Sequence, residues 1–230
     1  MNKIQKTISR LLFFSVLAIL VSFSTKNPKV FIIGDSISIQ YGPYLKNALT
    51  GFFDYDRKRD QGQAVTDLDN PVGANGGDSS RVLEYLTELS KQTDFQTDYL
   101  LVNCGLHDIK TDPKTLKTQV GLNNYRKNLE QIVKLSQKMN AKMIWVNSTP
   151  VIDSVHNKRA SFHRYAKDLN AYNETANKIM DKNGIPIIDL FMFTKKFGRE
   201  AYIDHVHFNT NVREKQADFI AGFLSKYVER

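Results

Sequence analysis

The chain has 230 residues, a single cysteine and a formal charge of +8. One cysteine excludes an internal disulfide, and Cys104, set in an apolar run, reads as a small buried hydrophobe. Residues 1–24 carry Lys3, Lys6 and Arg10 and no acid, so the rest of the chain holds 29 basic and 24 acidic residues, a charge of only +5.

Those first 24 residues have the layout of a secretory signal: a basic start, a mostly apolar run over 11–23, and small residues Ser22 and Ser24 before a polar exit. The run is short for a membrane span, which leaves an uncleaved N-terminal anchor as the alternative, and no cysteine follows it to carry a lipid. The expectation is an exported protein, periplasmic or secreted, with no stable membrane span after cleavage. Residues 25–230 are then one domain, long enough to bury a sizeable core. The basic clusters Arg57-Lys58-Arg59 and Lys195-Lys196 sit beside Asp54, Asp56, Asp60 and Glu200 or are too short to follow a phosphate backbone. They read as solvated surface, and no nucleic-acid partner is expected.

In chain order, apolar runs at 29–33, 99–104, 142–146 and 185–190 read as strands. Helical spacing lies between them. Val82, Leu86 and Leu89 recur behind a cap at Asp78, and Leu122, Tyr125, Leu129, Ile132 and Val133 share another face. A third helix over 172–180 stops at Asn183-Gly184, and Val212, Phe219, Ile220, Phe223 and Leu224 form a last one after Asn209. The segment 55–75, charged and then rich in Asp, Asn and Gly, has room for one short edge strand. Apolar strands alternating with amphipathic helices imply an α/β fold: a doubly wound, mainly parallel sheet with helices on both faces. Trp145 reads as core, and His156 and His163, in a long polar stretch, as surface residues.

Polar residues cluster after the strands. Asp35 and Ser36 follow the first; Gly105, His107 and Asp108 the second; Asn147, Ser148 and Thr149 the third; Asp189 closes the fourth. In a doubly wound sheet the carboxyl ends of the strands share one edge, where ligand sites form. Ser36 stands in a tight turn opened by Gly34, and Asp204 and His207 lie in an Asp-x-x-His spacing before the last helix. A serine, a histidine and an orienting carboxylate are the minimum kit for nucleophilic acyl transfer.

With those residues aligned, the chain resembles the SGNH hydrolases, or GDSL-type esterases. Gly34-Asp35-Ser36 is similar to the motif that holds the nucleophile. Gly76-Gly77-Asp78-Ser79-Ser80 resembles the glycine motif, with Gly77 the better match. Gly105-Leu106-His107-Asp108 stands where the family has Gly-x-Asn-Asp, and Asp204-His205-Val206-His207 matches its Asp-x-x-His. The resemblance implies a flavodoxin-like fold and a serine esterase without cofactor. Ser36 would be the nucleophile, His207 the base and Asp204 its orienting group. The oxyanion would meet the backbone N–H groups of Ser36 and Gly77 and the side chain of His107, an imidazole in place of the family's amide. Asp35, Asn103, Asp108 and Asp189 read as structural groups near turns.

Small exported proteins of this kind often deacylate carbohydrates, so the implied substrate is a small-molecule or polysaccharide ester, first an O-acetyl ester of a glycan. The alternatives are a lipid or aryl ester, or a catalytically silent carbohydrate-binding domain on the same fold. Asp204, His205 and His207 superficially suggest a metal cluster, but ligand spacing elsewhere is absent and no metal is expected. The stretch 151–168 is long for a connection and is read as a wall or lid, with Phe162 and His163 touching substrate while Tyr41 and Phe208 flank the nucleophile and base.

Overall fold

A computed structural model describes residues 26–228; the segment read as a secretory signal, 1–24, lies outside them. The first strand, β1 (Lys29–Ile33), is buried from Val30 onward, and so are β3 (Tyr99–Val102) and β4 (Lys142–Val146) apart from Lys142. Side chains alternate in direction along a strand, so a strand with no exposed residue must be covered on both faces. With the edge strands β2 (Asp54–Arg57) and β5 (Ile187–Ile188), these form one parallel sheet in the order β2-β1-β3-β4-β5. That is a doubly wound arrangement whose direction of winding reverses between β1 and β3.

The cover on one side is α1 (Ser36–Ala48) packed against α8 (Thr210–Val228). On the other, α3 (Ser79–Leu89), α4 (Leu122–Lys138) and α6 (Ala166–Lys182) pack in a row. Shorter pieces complete the chain: α2 (Gln63–Thr66), α5 (Asp153–Arg159) and α7 (Leu190–Lys195). Trp145 and Cys104 are fully buried, as their place in apolar runs implies. Among the described residues no helix is long and apolar enough to cross a membrane.

The departures from the sequence reading are local. The second predicted strand stops at Val102 because Asn103 turns its amide across the sheet edge, donating to the Val146 carbonyl at 2.8 Å. β5 keeps only two residues of its run, held between Pro186 and Asp189, which caps α7. The edge strand in the 55–75 region starts at Asp54. α1 has no clean helical spacing and carries Gly42-Pro43 in its interior, normally a break. The helix runs through it, and Arg57 packs close against Gly42: a Cβ there would lie 2.8 Å from Nη1 of the arginine. Arg57 is likewise not a solvated charge, since it donates to the Ser38 carbonyl at 2.9 Å.

Leu100, fully buried in the central strand, tests the two-sided cover. Leu100→Ala is expected to lower unfolding free energy by about 2–5 kcal/mol, measured by urea denaturation.

Candidate active site

The end of β1 makes the site. Asp35 leaves the strand extended and caps α1, its Oδ1 accepting the Ile37 N–H at 3.0 Å, while the Ser38 hydroxyl donates to the Asp35 carbonyl at 2.7 Å. Gly34 permits this closeness, because a Cβ on it would stand 2.9 Å from that of Ser38. Ser36 thereby becomes the first residue of α1, where a backbone N–H has no partner within the helix. Burial pushes the Asp35 carboxyl up, against the pull of the Ile37 N–H that it caps.

Ser36 is 171 residues from its partner in sequence, yet its hydroxyl donates to Nε2 of His207 at 2.8 Å. Nδ1 of His207 donates to Asp204 Oδ2 at 2.7 Å. The other oxygen, Asp204 Oδ1, accepts the N–H groups of Val206 and His207, both at 2.8 Å. Burial opposes ionisation of Asp204, but those three donors overcome it and hold its carboxyl well below the usual range. A serine hydroxyl bonded to an imidazole whose far nitrogen is fixed by a carboxylate is an arrangement able to deliver an alkoxide to a carbonyl carbon.

Two further groups were expected around the serine. His107 is 1% exposed, and its Nδ1 has no hydrogen-bond partner among the described residues. Burial, then Lys110 and Arg164, lower its pKa well below the ordinary value, so the ring is neutral. Gly77 has a φ of +71°, and a Cβ there would lie 2.8 Å from Pro71, so glycine is required. Its N–H is already engaged, however, donating to Asn75 Oδ1 at 3.0 Å. The sequence reading, which took this N–H as free, misses that bond because it depends on a side chain two residues away.

Asp108, Asn103 and Asp189 occupy structural positions. Both oxygens of Asp108 accept the Ser79 N–H at 3.0 Å, and the Ser79 hydroxyl also donates to it. Burial pushes Asp108 up to about 7, against the pull of those bonds.

Other predicted contacts are not made. Tyr41 is 2% exposed and lies in the core; at 3.6 residues per turn it points about 140° away from Ser36 on the same helix. Phe208, 1% exposed, packs on Tyr202 with ring centroids 4.7 Å apart. It lies in extended backbone, so when His207 faces Ser36 its neighbour faces the core. His163 pairs its backbone with Thr111 and its ring with the Tyr165 hydroxyl, without contact to the serine or its partners. His156, read as a surface residue, is fully buried.

The stretch 151–168 does build a wall beside the site, through residues that periodicity does not reveal. The His205 ring lies 5.9 Å from that of His207 and 4.8 Å from that of His156. His205 Nε2 donates to Asp69 Oδ1 at 3.1 Å. Burial opposes ionisation of Asp69, but the His205 bond and charge bring its pKa down to about 2. Arg164, 2% exposed, donates to the Leu106 carbonyl at 2.7 Å and to His156 Nε2 at 2.9 Å. Burial, then Arg164, lower the His156 pKa to about 3. Phe162, half-buried, completes the wall. Asp69, Lys110 and Arg164 are additions to the sequence reading; a charged residue in a polar stretch gives no local sign that it folds inward. Among the described residues no three His, Cys, Asp or Glu side chains converge as a metal site would require.

Compared with known proteins, the profile of the GDSL-like Lipase/Acylhydrolase family matches residues 32–212. No curated protein matches the sequence. Similar solved structures include an acetyl xylan esterase, with TM-score 0.64 and 18% identity over 85% of this chain and 99% of that one. A GDSL-like lipase from Bacteroides thetaiotaomicron has TM-score 0.61 and 13% identity over 94% and 95% of the two chains. A psychrotrophic esterase from Pseudoalteromonas sp. has TM-score 0.59 and 15% identity over 89% and 100%. At such identities these likenesses describe the fold.

The Asp69 carboxyl titrates at about 2 in the folded chain against an ordinary 3.8. Its contribution to stability is therefore present above 3.8 and lost as pH falls toward 2. Asp69→Asn is expected to give a melting temperature that falls less steeply than the parent's between about pH 4 and about pH 2, followed by circular dichroism.

Proposed function

We propose that this chain, which belongs to the GDSL-like Lipase/Acylhydrolase family and is a carboxylic ester hydrolase, is exported and removes O-acetyl or other short acyl groups from a carbohydrate. The observation that carries the reading is the continuous line from the Ser36 hydroxyl through His207 to Asp204, with bonds of 2.8 and 2.7 Å. Export rests on the secretory layout of residues 1–24, and the first domain residue would be 25. The carbohydrate is suggested by the acetyl xylan esterase of similar fold and by the presumption of export; fold alone does not choose a substrate.

In this mechanism Ser36 Oγ attacks the ester carbonyl while its proton passes to His207 Nε2. Asp204 holds the ring in the tautomer that keeps Nε2 free to accept, and stabilises the imidazolium that forms. The tetrahedral oxyanion takes hydrogen bonds from the Ser36 N–H and the His107 ring, and from the Gly77 N–H once that donor is shared with Asn75 or released by it. Collapse breaks the bond to the alcohol, which leaves with the proton held on His207. Water then enters by the same route: His207 takes its proton, the hydroxide attacks the acyl-Ser36 ester, and the bond to Ser36 Oγ breaks as His207 returns the proton to that oxygen and the carboxylic acid departs.

The reading is tested with a small chromogenic acetyl ester and residues 25–230. Hydrolysis is expected, unaffected by a chelator. Ser36→Ala should lower kcat by about 10⁴-fold or more, and His107→Ala by about 100-fold to 1000-fold. A folded parent without hydrolysis of this ester or of acetylated glycans, or an alanine variant that keeps the rate, would sink it.

A further inference from the structure

Lys110 and Arg164 are two cations that make no hydrogen bond to the Ser36–His207–Asp204 line. The Lys110 ammonium donates to the Asp69 carbonyl at 2.8 Å, and the Arg164 guanidinium donates to Leu106 and His156. Both lie over the Phe162 ring, 4.4 and 4.9 Å from its centroid. Neither is within 4.0 Å of a carboxylate among the described residues. The nearby acids are turned to other partners. Asp69 is bonded to His205, Asp78 caps α3 and takes the Gln119 amide, and Asp112 accepts the N–H groups of Lys114 and Thr115.

This is an unusual placement of charge, since buried ions are normally paired or neutralised. Burial, then Arg164, bring the Lys110 ammonium down to about 8, so it still carries its proton at neutral pH. Cation–π contact with Phe162 and the carbonyl bonds hold the two cations in place, and the carboxylates that act on them, Asp69 and Asp35 on both, Asp67 on Lys110 and Asp204 on Arg164, do so without a direct ion pair.

A groove of about 410 Å³ opens beside Lys110, lined by Lys110, Lys117, Gln119, Ser161 and Phe162 and by one acid, Asp112, whose Oδ1 is engaged by the Lys114 and Thr115 N–H groups. Its Phe162 wall is linked to the reacting groups through one ring: the Phe162 centroid is 6.4 Å from that of His205, which is 5.9 Å from that of His207. With two cations over it, the Phe162 ring offers little surface to an apolar chain. The Gln119 side-chain carbonyl, whose amide nitrogen is held by Asp78, and the Ser161 hydroxyl are suited to sugar hydroxyls, and the two lysines to an anion.

We propose that this groove is a subsite for a carboxylate-bearing sugar unit, so that the ester cleaved at Ser36 is carried by an acidic glycan, with the carboxylate near Lys110 and Lys117. The inference rests on the esterase reading for the chemistry at Ser36, but the binding it describes needs no turnover.

The test uses the Ser36→Ala protein, titrated calorimetrically with de-esterified polyuronide oligosaccharides and with neutral xylo-oligosaccharides of equal length. The expected result is affinity for the polyuronide about tenfold or more above that for the neutral chain, largely abolished in about 0.5 M NaCl. Lys110→Gln or Lys117→Gln in the same background should each reduce the polyuronide affinity about tenfold. Lys138→Gln, an exposed charge at the far end of α4, should leave the preference in place. If Lys110→Gln fails to fold, Lys117→Gln, on the exposed rim, carries the test. Equal affinity for the two chains, or a preference that neither lysine variant changes, overturns the subsite. Polyuronide binding in a protein whose parent cleaves no ester supports the subsite and overturns the Ser36 chemistry alone, so the two failures are separable.

Discussion

Covering the strands on both faces leaves a single place where polar side chains can gather, and the rest of this molecule follows from that restriction. Along β1, β3 and β4 nearly every residue is buried and apolar. Polarity begins where the strands end, and the ends are tied to one another. Asn103 donates to the Val146 carbonyl, the Ser148 hydroxyl to the Cys104 carbonyl, and the Gly76 N–H to the Gly34 carbonyl at 2.8 Å. Asn173, from α6, braces Ser148 from behind by accepting its N–H and donating to its carbonyl. These bonds fix loops from distant parts of the chain to about the precision of a hydrogen bond. Catalytic geometry needs that precision, because a small displacement between nucleophile and base costs rate steeply.

The same edge sorts its carboxyl groups by environment. Asp204, half-exposed and met by three donors, stays ionised, while Asp108 is wholly buried and rises to about 7 despite its bonds to Ser79. Asp35, one residue from the serine, is also pushed up by burial and is spent on capping α1. Residues of one chemical type thus divide into a charged group that can stabilise an imidazolium and structural groups that hold turns. Proximity to the nucleophile in sequence is a poor guide to which is which.

That division also explains how much was legible beforehand. The strands and the helices behind them are written in local periodicity, and Ser36, Asp204 and His207 in short spacings that survive translation into the fold. What failed was direction. Tyr41 is five residues from Ser36 and Phe208 one residue from His207, yet helix and strand geometry turn each into the core. His156 looked like one more polar residue and is buried because Arg164, eight residues on, folds back to donate to it. The engagement of the Gly77 N–H by Asn75, and the gathering of Lys110 and Arg164 over Phe162, are tertiary facts without periodicity. No pattern in the chain announces which member of a charged stretch will fold inward.

The replacement of asparagine by His107 in the resemblance to SGNH hydrolases gains meaning from this electrostatic setting. An asparagine side chain offers a neutral N–H to a developing oxyanion. A histidine does the same only if it stays neutral; as an imidazolium near Lys110 and Arg164 it would add a third positive charge to a buried site. Here burial comes first and the two cations second in driving its proton off, so the ring remains a neutral donor with one N–H to give. In the proposed reading the cations therefore act twice. They keep His107 in the protonation state that imitates the amide, and they leave a positive field beside it that a neutral substrate would not satisfy. The two effects share one cause: Lys110 and Arg164 make no direct ion pair among the described residues, so beside burial they act on His107, and in the proposed reading they are also placed to meet a negatively charged group of the substrate.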